Sequence, residues 1–65
     1  MQGIGTIKFY NEDKGYGFIK CSDGVEVFFH VSGLLNNWIP KSGDRVNFSV
    51  IDGKRGPKAV DVQQV

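Results

Sequence analysis

Cysteine and histidine are nearly missing from this 65-residue chain, which has one of each. A lone Cys21 excludes an internal disulfide and fits a reducing, intracellular compartment. One Cys and one His cannot supply the three or four ligands of a zinc site, so neither a metal nor any other cofactor is expected. Excess charge is missing too: eight Lys and Arg against seven Asp and Glu leave a net charge of +1. Bulk electrostatics therefore gives no reason to bind a polyanion, and any such site must come from local placement of cations. No apolar run approaches the roughly 18 residues that cross a bilayer. The opening MQGIGTIKFY lacks the basic region and apolar stretch of a signal peptide, so a soluble, cytoplasmic protein is expected. Helical spacing of apolar residues is also absent over any stretch of about ten positions.

What the chain does have is glycine, nine in all, spaced so as to cut it into short apolar runs. Residues 3–11 end at NEDKG, a turn-forming cluster. Residues 15–21 are closed by Ser22-Asp23-Gly24, and an Asp-Gly pair between β-type runs is a strong hairpin signal. Residues 25–31, 44–51 and 58–65 are the remaining runs, with the loop GKRGP between the last two. Five short strands make an all-β barrel or sandwich occupying residues 1–65 as one domain. Closure is favoured, because an open five-stranded sheet would leave one apolar face uncovered. A chain this short buries only about 60% of its unfolded surface, so its stability is modest.

Alternation then sorts the rings of KGYGFIKCSDGVEVFFH (14–30). Val25, Val27, Phe29 and Val31 share an apolar face, which makes Phe28 and His30 outward neighbours of Glu26. In the preceding run Ile19 and Cys21 point inward, so Tyr16, Phe18 and Lys20 point outward. Pairing through the Asp-Gly hairpin gathers Tyr16, Phe18, Phe28 and His30 into one outward patch. Several exposed rings on a small domain are a liability unless a partner uses them. In the first run, Ile7 as core would turn Phe9 inward and Lys8 and Tyr10 outward. A long first strand in a closed barrel commonly carries a bulge, which leaves Phe9 undecided on alternation alone.

Rings on a strand surface with lysines at the margin suit single-stranded nucleic acid: each base offers a π-face, and cations meet the phosphates. KGYGFI also fits the ribonucleoprotein signature of RNA-recognition motifs, but that larger fold needs two helices. His30 has no serine, cysteine or carboxylate constellation around it, so an enzyme is not expected. Cys21 reads as a small core residue.

Nearly the whole chain resembles a bacterial cold-shock domain protein. KGYGFI (14–19) and VFFHV (27–31) are similar to that family's two nucleic-acid motifs. GTIKFYN (5–11) resembles its opening strand, and GKRGPKAVDV (53–62) its last loop and strand. The resemblance implies a small, closed, five-stranded antiparallel OB-type β-barrel. It also implies a protein that binds single-stranded RNA and DNA and acts as an RNA chaperone in the cold-shock or stress response. Carried over by position, Phe9, Tyr16, Phe18, Phe28 and His30 would stack on bases. Lys8, Lys14 and Arg55 would meet phosphates or bases, and Tyr10 would flank the platform.

The departures are specific. Phe9 stands where the family usually has an exposed tryptophan, Tyr10 where it has phenylalanine, and Glu26 where aspartate is common. Val31 replaces an aromatic, which weakens one stacking position. The segment 34–43 is about two residues shorter than usual, and Trp38 within it has two possible places, on the stacking face or plugging the barrel's end. The shortened loop also leaves a strand-exchanged dimer as the alternative to a monomer. A different class of function, an SH3-like barrel docking a Pro-rich peptide, also predicts exposed rings. It predicts neither strong salt dependence nor an involvement of lysine, and the acidic loop such domains carry is absent between the second and third runs.

Overall fold

The five apolar runs become five strands, and the glycine-marked segments become the turns. The computed structural model describes residues 2–36, 38–54 and 56–65. Its elements are β1 (Gln2–Asn11), β2 (Tyr16–Cys21), β3 (Glu26–His30), a 3-10 turn at Val31–Gly33, β4 (Arg45–Gly53) and β5 (Gly56–Gln64). They close in the order β1-β2-β3-β5-β4. The pairings β1–β2, β2–β3, β4–β5 and β1–β4 are antiparallel. The closing pair β3–β5 is parallel and consists of Phe28↔Lys58 and Phe29↔Ala59. The barrel is therefore all-β and closed as expected, with one parallel seam in an otherwise antiparallel sheet.

Period-two alternation fills the interior. Ile7, Ile19, Val27, Phe29, Val46, Phe48, Ala59 and Val62 are buried, and every strand contributes. Their burial is the main stabilising term, at about 25 cal/mol per Å² of apolar surface removed from water. Cys21, Tyr10, Leu34, Trp38 and Val50 pack against this core from its margins.

Two expected core residues lie outside it. Val25 is 55% exposed and Val31 43% exposed, because β3 is only five residues long. Val25 belongs to the hairpin turn, where its amide donates to Asp23 Oδ1 at 3.1 Å and Gly24 N donates to the Cys21 carbonyl at 2.9 Å. Val31 begins the 3-10 turn. The alternation holds only inside β3 and stops one residue short of Val25 at one end and of Val31 at the other.

The bulge in β1 decides which rings face out. Ile7 pairs with Ile19 and Phe9 with Phe18, so Lys8 is the extra residue. The loop before β4 holds this place. Ile7 N donates to the Asp44 carbonyl (2.8 Å), Gly43 N donates to the Ile7 carbonyl (2.9 Å), and Ser42 Oγ donates to the Lys8 carbonyl (3.0 Å). An extra residue reverses side-chain parity beyond it. Phe9 thus turns outward and Tyr10 inward, the opposite of a regular strand.

Gly17 allows β1 and β2 to approach closely over the core. A Cβ there would meet Phe29 Cε1 and Cζ at 2.8 Å, so the Phe29 ring fills the space a side chain would take. Gly15, at φ 71°, supplies the left-handed residue that ends the turn into β2.

Candidate nucleic-acid interface

The hairpin β2–β3 and the bulged end of β1 bring four rings onto one outer surface. Phe9 lies 5.5 Å from Phe18 and 6.1 Å from Tyr16 between ring centroids. Tyr16 stacks beside Phe28 at 5.9 Å and 23°. Phe18 meets Phe28 at 5.9 Å and Tyr16 at 6.4 Å, both edge to face. Such tilted and edge-on pairings are the favoured aromatic geometry, and they hold each ring in place while leaving one side to solvent. Phe9 is 37% exposed, and Tyr16, Phe18 and Phe28 are half-buried.

His30 closes the row on β3 opposite Tyr16. Its Nδ1 accepts from Ser32 N at 3.1 Å and lies 2.9 Å from Ser32 Oγ. A nitrogen that accepts a backbone N–H carries no proton of its own, so the ring proton sits on Nε2. The imidazole is thereby fixed in orientation, with a donor on its other nitrogen.

The cations are not equivalent. Lys14 is exposed and lines the same groove as Tyr16, Phe18, Phe28 and His30. Lys8 Nζ is engaged at 2.8 Å by Glu26 Oε2, a pair formed across β2 from the bulge to the start of β3. The far wall of the groove adds Lys54 and Lys58 from the β4–β5 hairpin, with Asp52 as the acid beside them. Three lysines against one aspartate give this depression the cationic character that the composition as a whole lacks. A second depression, between Ile4, Val25 and Phe48, has Asp23 and Asp61 in its lining and no described lysine or arginine.

Two expected site residues lie elsewhere. Tyr10 does not flank the platform; its ring stacks inward on Phe29 at 5.9 Å and 14°. Trp38 packs against the core and its Nε1 donates to the Val62 carbonyl at 3.4 Å. That carbonyl also accepts Leu35 N at 2.8 Å. Trp38 is thus packed on the core, and among the described residues it joins none of the ring pairs of the outer surface. Arg55 lies outside the described residues. Lys58 was missed, since only the register of the parallel seam brings it beside Phe28.

Among the described residues no three His, Cys, Asp or Glu side chains gather as metal ligands, and no helix is long and apolar enough to cross a membrane. Cys21 has its thiol pushed up by burial first and by the nearby Asp23 charge second. It is therefore a poor nucleophile.

A closed five-stranded barrel carrying surface rings beside a lysine-lined groove defines an OB-type binding module. The comparisons with known proteins specify it further. Residues 3–65 match the model of the 'Cold-shock' DNA-binding domain, and the chain belongs to that family. It is 40% identical over 63 residues to the major cold shock protein of Streptococcus pyogenes serotype M18, covering 94% of each chain. It is 40% identical over 60 residues to cold shock-like protein CspC of Bacillus cereus, covering 89% of this chain and 92% of that one. Among solved structures, drosophila Unr CSD456 superposes with a TM-score of 0.82 at 27% identity, covering this whole chain and 27% of that longer one.

Proposed function

We propose that the chain binds single-stranded RNA and DNA on the Phe9, Tyr16, Phe18, Phe28 and His30 face, and serves as an RNA chaperone in the cold-shock response. The observation that carries this reading is the packing of four rings, 5.5–6.4 Å apart, on the outside of the barrel beside a lysine-lined groove. The core draws its aromatic side chains from Phe29, Phe48, Tyr10 and Trp38, and none of the four surface rings is among them. Each base stacked contributes about 1–3 kcal/mol, and phosphates meet Lys14 and, once it leaves Glu26, Lys8.

The chaperone activity needs no nucleotide hydrolysis. A protein that binds only the unpaired strand shifts a hairpin's equilibrium toward the open form by mass action. Sequence tolerance follows from stacking, because every base has a π-face. No catalytic step is assigned to any residue. The family relationship supports this function over the docking of a Pro-rich peptide.

The test is anisotropy of labelled oligo-U and oligo-dT over a range of salt, with duplex DNA as control. Saturable binding of single strands that weakens with salt supports the reading, and salt-independent binding of proline-rich peptide in its place overturns it. Trp38 fluorescence is expected to change little on binding, since the indole sits against Val62 and away from the rings. A Phe9→Trp variant places the reporter on the platform, where single strands are expected to quench it.

A further inference from the structure

The register of the sheet aligns one outward residue from each strand in a single transverse row. Phe9 pairs with Phe18, Phe18 with Phe28, Phe28 with Lys58 and Lys58 with Ile51. The neighbouring positions confirm the direction of these side chains. Phe29 and Ala59, paired across the seam, are both buried, and Val50, paired with Ala59, packs against the core. Lys58 and Ile51 therefore share the outer face with the rings. Ile51 is 47% exposed, and both residues line the groove that contains Tyr16, Phe18 and Phe28.

The geometry points to a further nucleotide subsite beyond Phe28, across the β3–β5 seam, in which Lys58 holds a phosphate and Ile51 offers an apolar face to the base. The inference rests on the proposed single-strand binding and extends it past the last aromatic ring. Lys58 suits the task for two reasons. Among the described residues it enters no ion pair, whereas Lys8 is held by Glu26. Its aliphatic stem also lies along Gly53, where an ideal Cβ would stand 3.4 Å from Lys58 Cβ and 3.8 Å from Cδ. That is ordinary van der Waals spacing, so the stem packs beside Gly53 on the groove wall. Ile51 has no π-face, so the base here makes apolar contact without stacking. The subsite should add less affinity than a ring does and should discriminate little among bases.

The experiment measures affinity against length for oligo-U of about 4 to 10 nucleotides, the range an OB-type barrel occupies, each at several salt concentrations. The variants are Lys58→Gln, Ile51→Ser, Lys41→Gln as an exposed lysine off the groove, and Phe18→Ala on the platform. Retention of the fold is checked by urea unfolding. Short strands fill the rings first, so Lys58→Gln and Ile51→Ser are expected to bind them as the parent does. With long strands, Lys58→Gln is expected to lose several-fold in affinity and to flatten the salt slope by about 0.7, the value for one phosphate contact on a single strand. Ile51→Ser is expected to lose the gain in affinity on lengthening. Should Lys58→Gln match Lys41→Gln at every length while Phe18→Ala weakens all of them, the subsite is refuted and the platform stands. Should Phe18→Ala bind like the parent as well, the platform falls and the subsite with it.

Discussion

Tyr10 lies nearly parallel to Phe29, ring centroids 5.9 Å apart and 14° between planes, although its neighbour Phe9 points to the opposite side of the sheet. The bulge at Lys8 divides two adjacent rings between the two faces of the sheet. Phe9→Ala is expected to weaken single-strand binding by about 1–3 kcal/mol with little change in unfolding. Tyr10→Ala is expected to lower stability by about 2–4 kcal/mol, because it opens a cavity over Phe29. Urea titration and oligonucleotide anisotropy on both variants check the pair, and a crossed result would place the bulge elsewhere.

Glu26 holds the Lys8 ammonium at 2.8 Å, with side chains 49% and 42% exposed on the lysine and glutamate respectively. Pairs this exposed contribute little to stability, about 0–1 kcal/mol. The carboxylate nevertheless occupies a cation beside the platform and repels phosphate. Glu26→Gln is therefore expected to tighten single-strand binding and to steepen its salt slope by about 0.7, with unfolding almost unchanged. An unaltered slope would mean that Lys8 meets no phosphate.

Gly17 has no room for a methyl group. Its Cβ would press on the Phe29 ring and on the Phe9 carbonyl. Gly17→Ala is expected to lower stability by about 1–3 kcal/mol through overpacking. Binding is expected to suffer as well, since the backbone that must give way is that of Phe9, whose ring belongs to the proposed platform. Unfolding by urea, followed by anisotropy below the transition, separates the two effects.

The Cys21 thiol is raised by burial and by Asp23. Folded protein therefore holds this proton more tightly than unfolded protein does. The stability it contributes is present at neutral pH and is lost as pH climbs through the ordinary thiol range toward the raised value. Alkylation by iodoacetamide at neutral pH is expected to be slower in the folded protein than in urea. Cys21→Ala is expected to remove the thiol's share of the alkaline loss. Equal alkylation rates in both states would contradict the assignment.

The strands and the hairpin were legible because their signals are local. An Asp-Gly pair, glycine-marked turns and period-two alternation each act within a few residues. Alternation also placed Tyr16, Phe18 and Phe28 outward, since β2 and the middle of β3 are regular. It failed at Val25 and Val31, where a five-residue strand gives way to turns whose hydrogen bonds come from Asp23 and from the 3-10 segment. Phe9 was undecidable by parity because the bulge is fixed by Ser42, Gly43 and Asp44, more than thirty residues along the chain. The resemblance to cold-shock proteins turned Phe9 outward correctly but sent Tyr10 to the platform. Trp38 had two places until the Val62 carbonyl could be seen beneath it. Lys58 and Ile51 escaped notice because nothing in the sequence reports a parallel register between strands far apart in order.

The parallel seam has a consequence for how the barrel breathes. With two residue pairs joining β3 to β5, it is the shortest ladder in the sheet, and the amides beside it should exchange with solvent ahead of those in the long β1–β2 and β4–β5 ladders. A strand of RNA lying from Phe18 to Lys58 would bridge that joint like a splint, closing the protein at its loosest point. Occupancy and rigidity would then rise together, and the barrel would be at its firmest while a single strand lies across it.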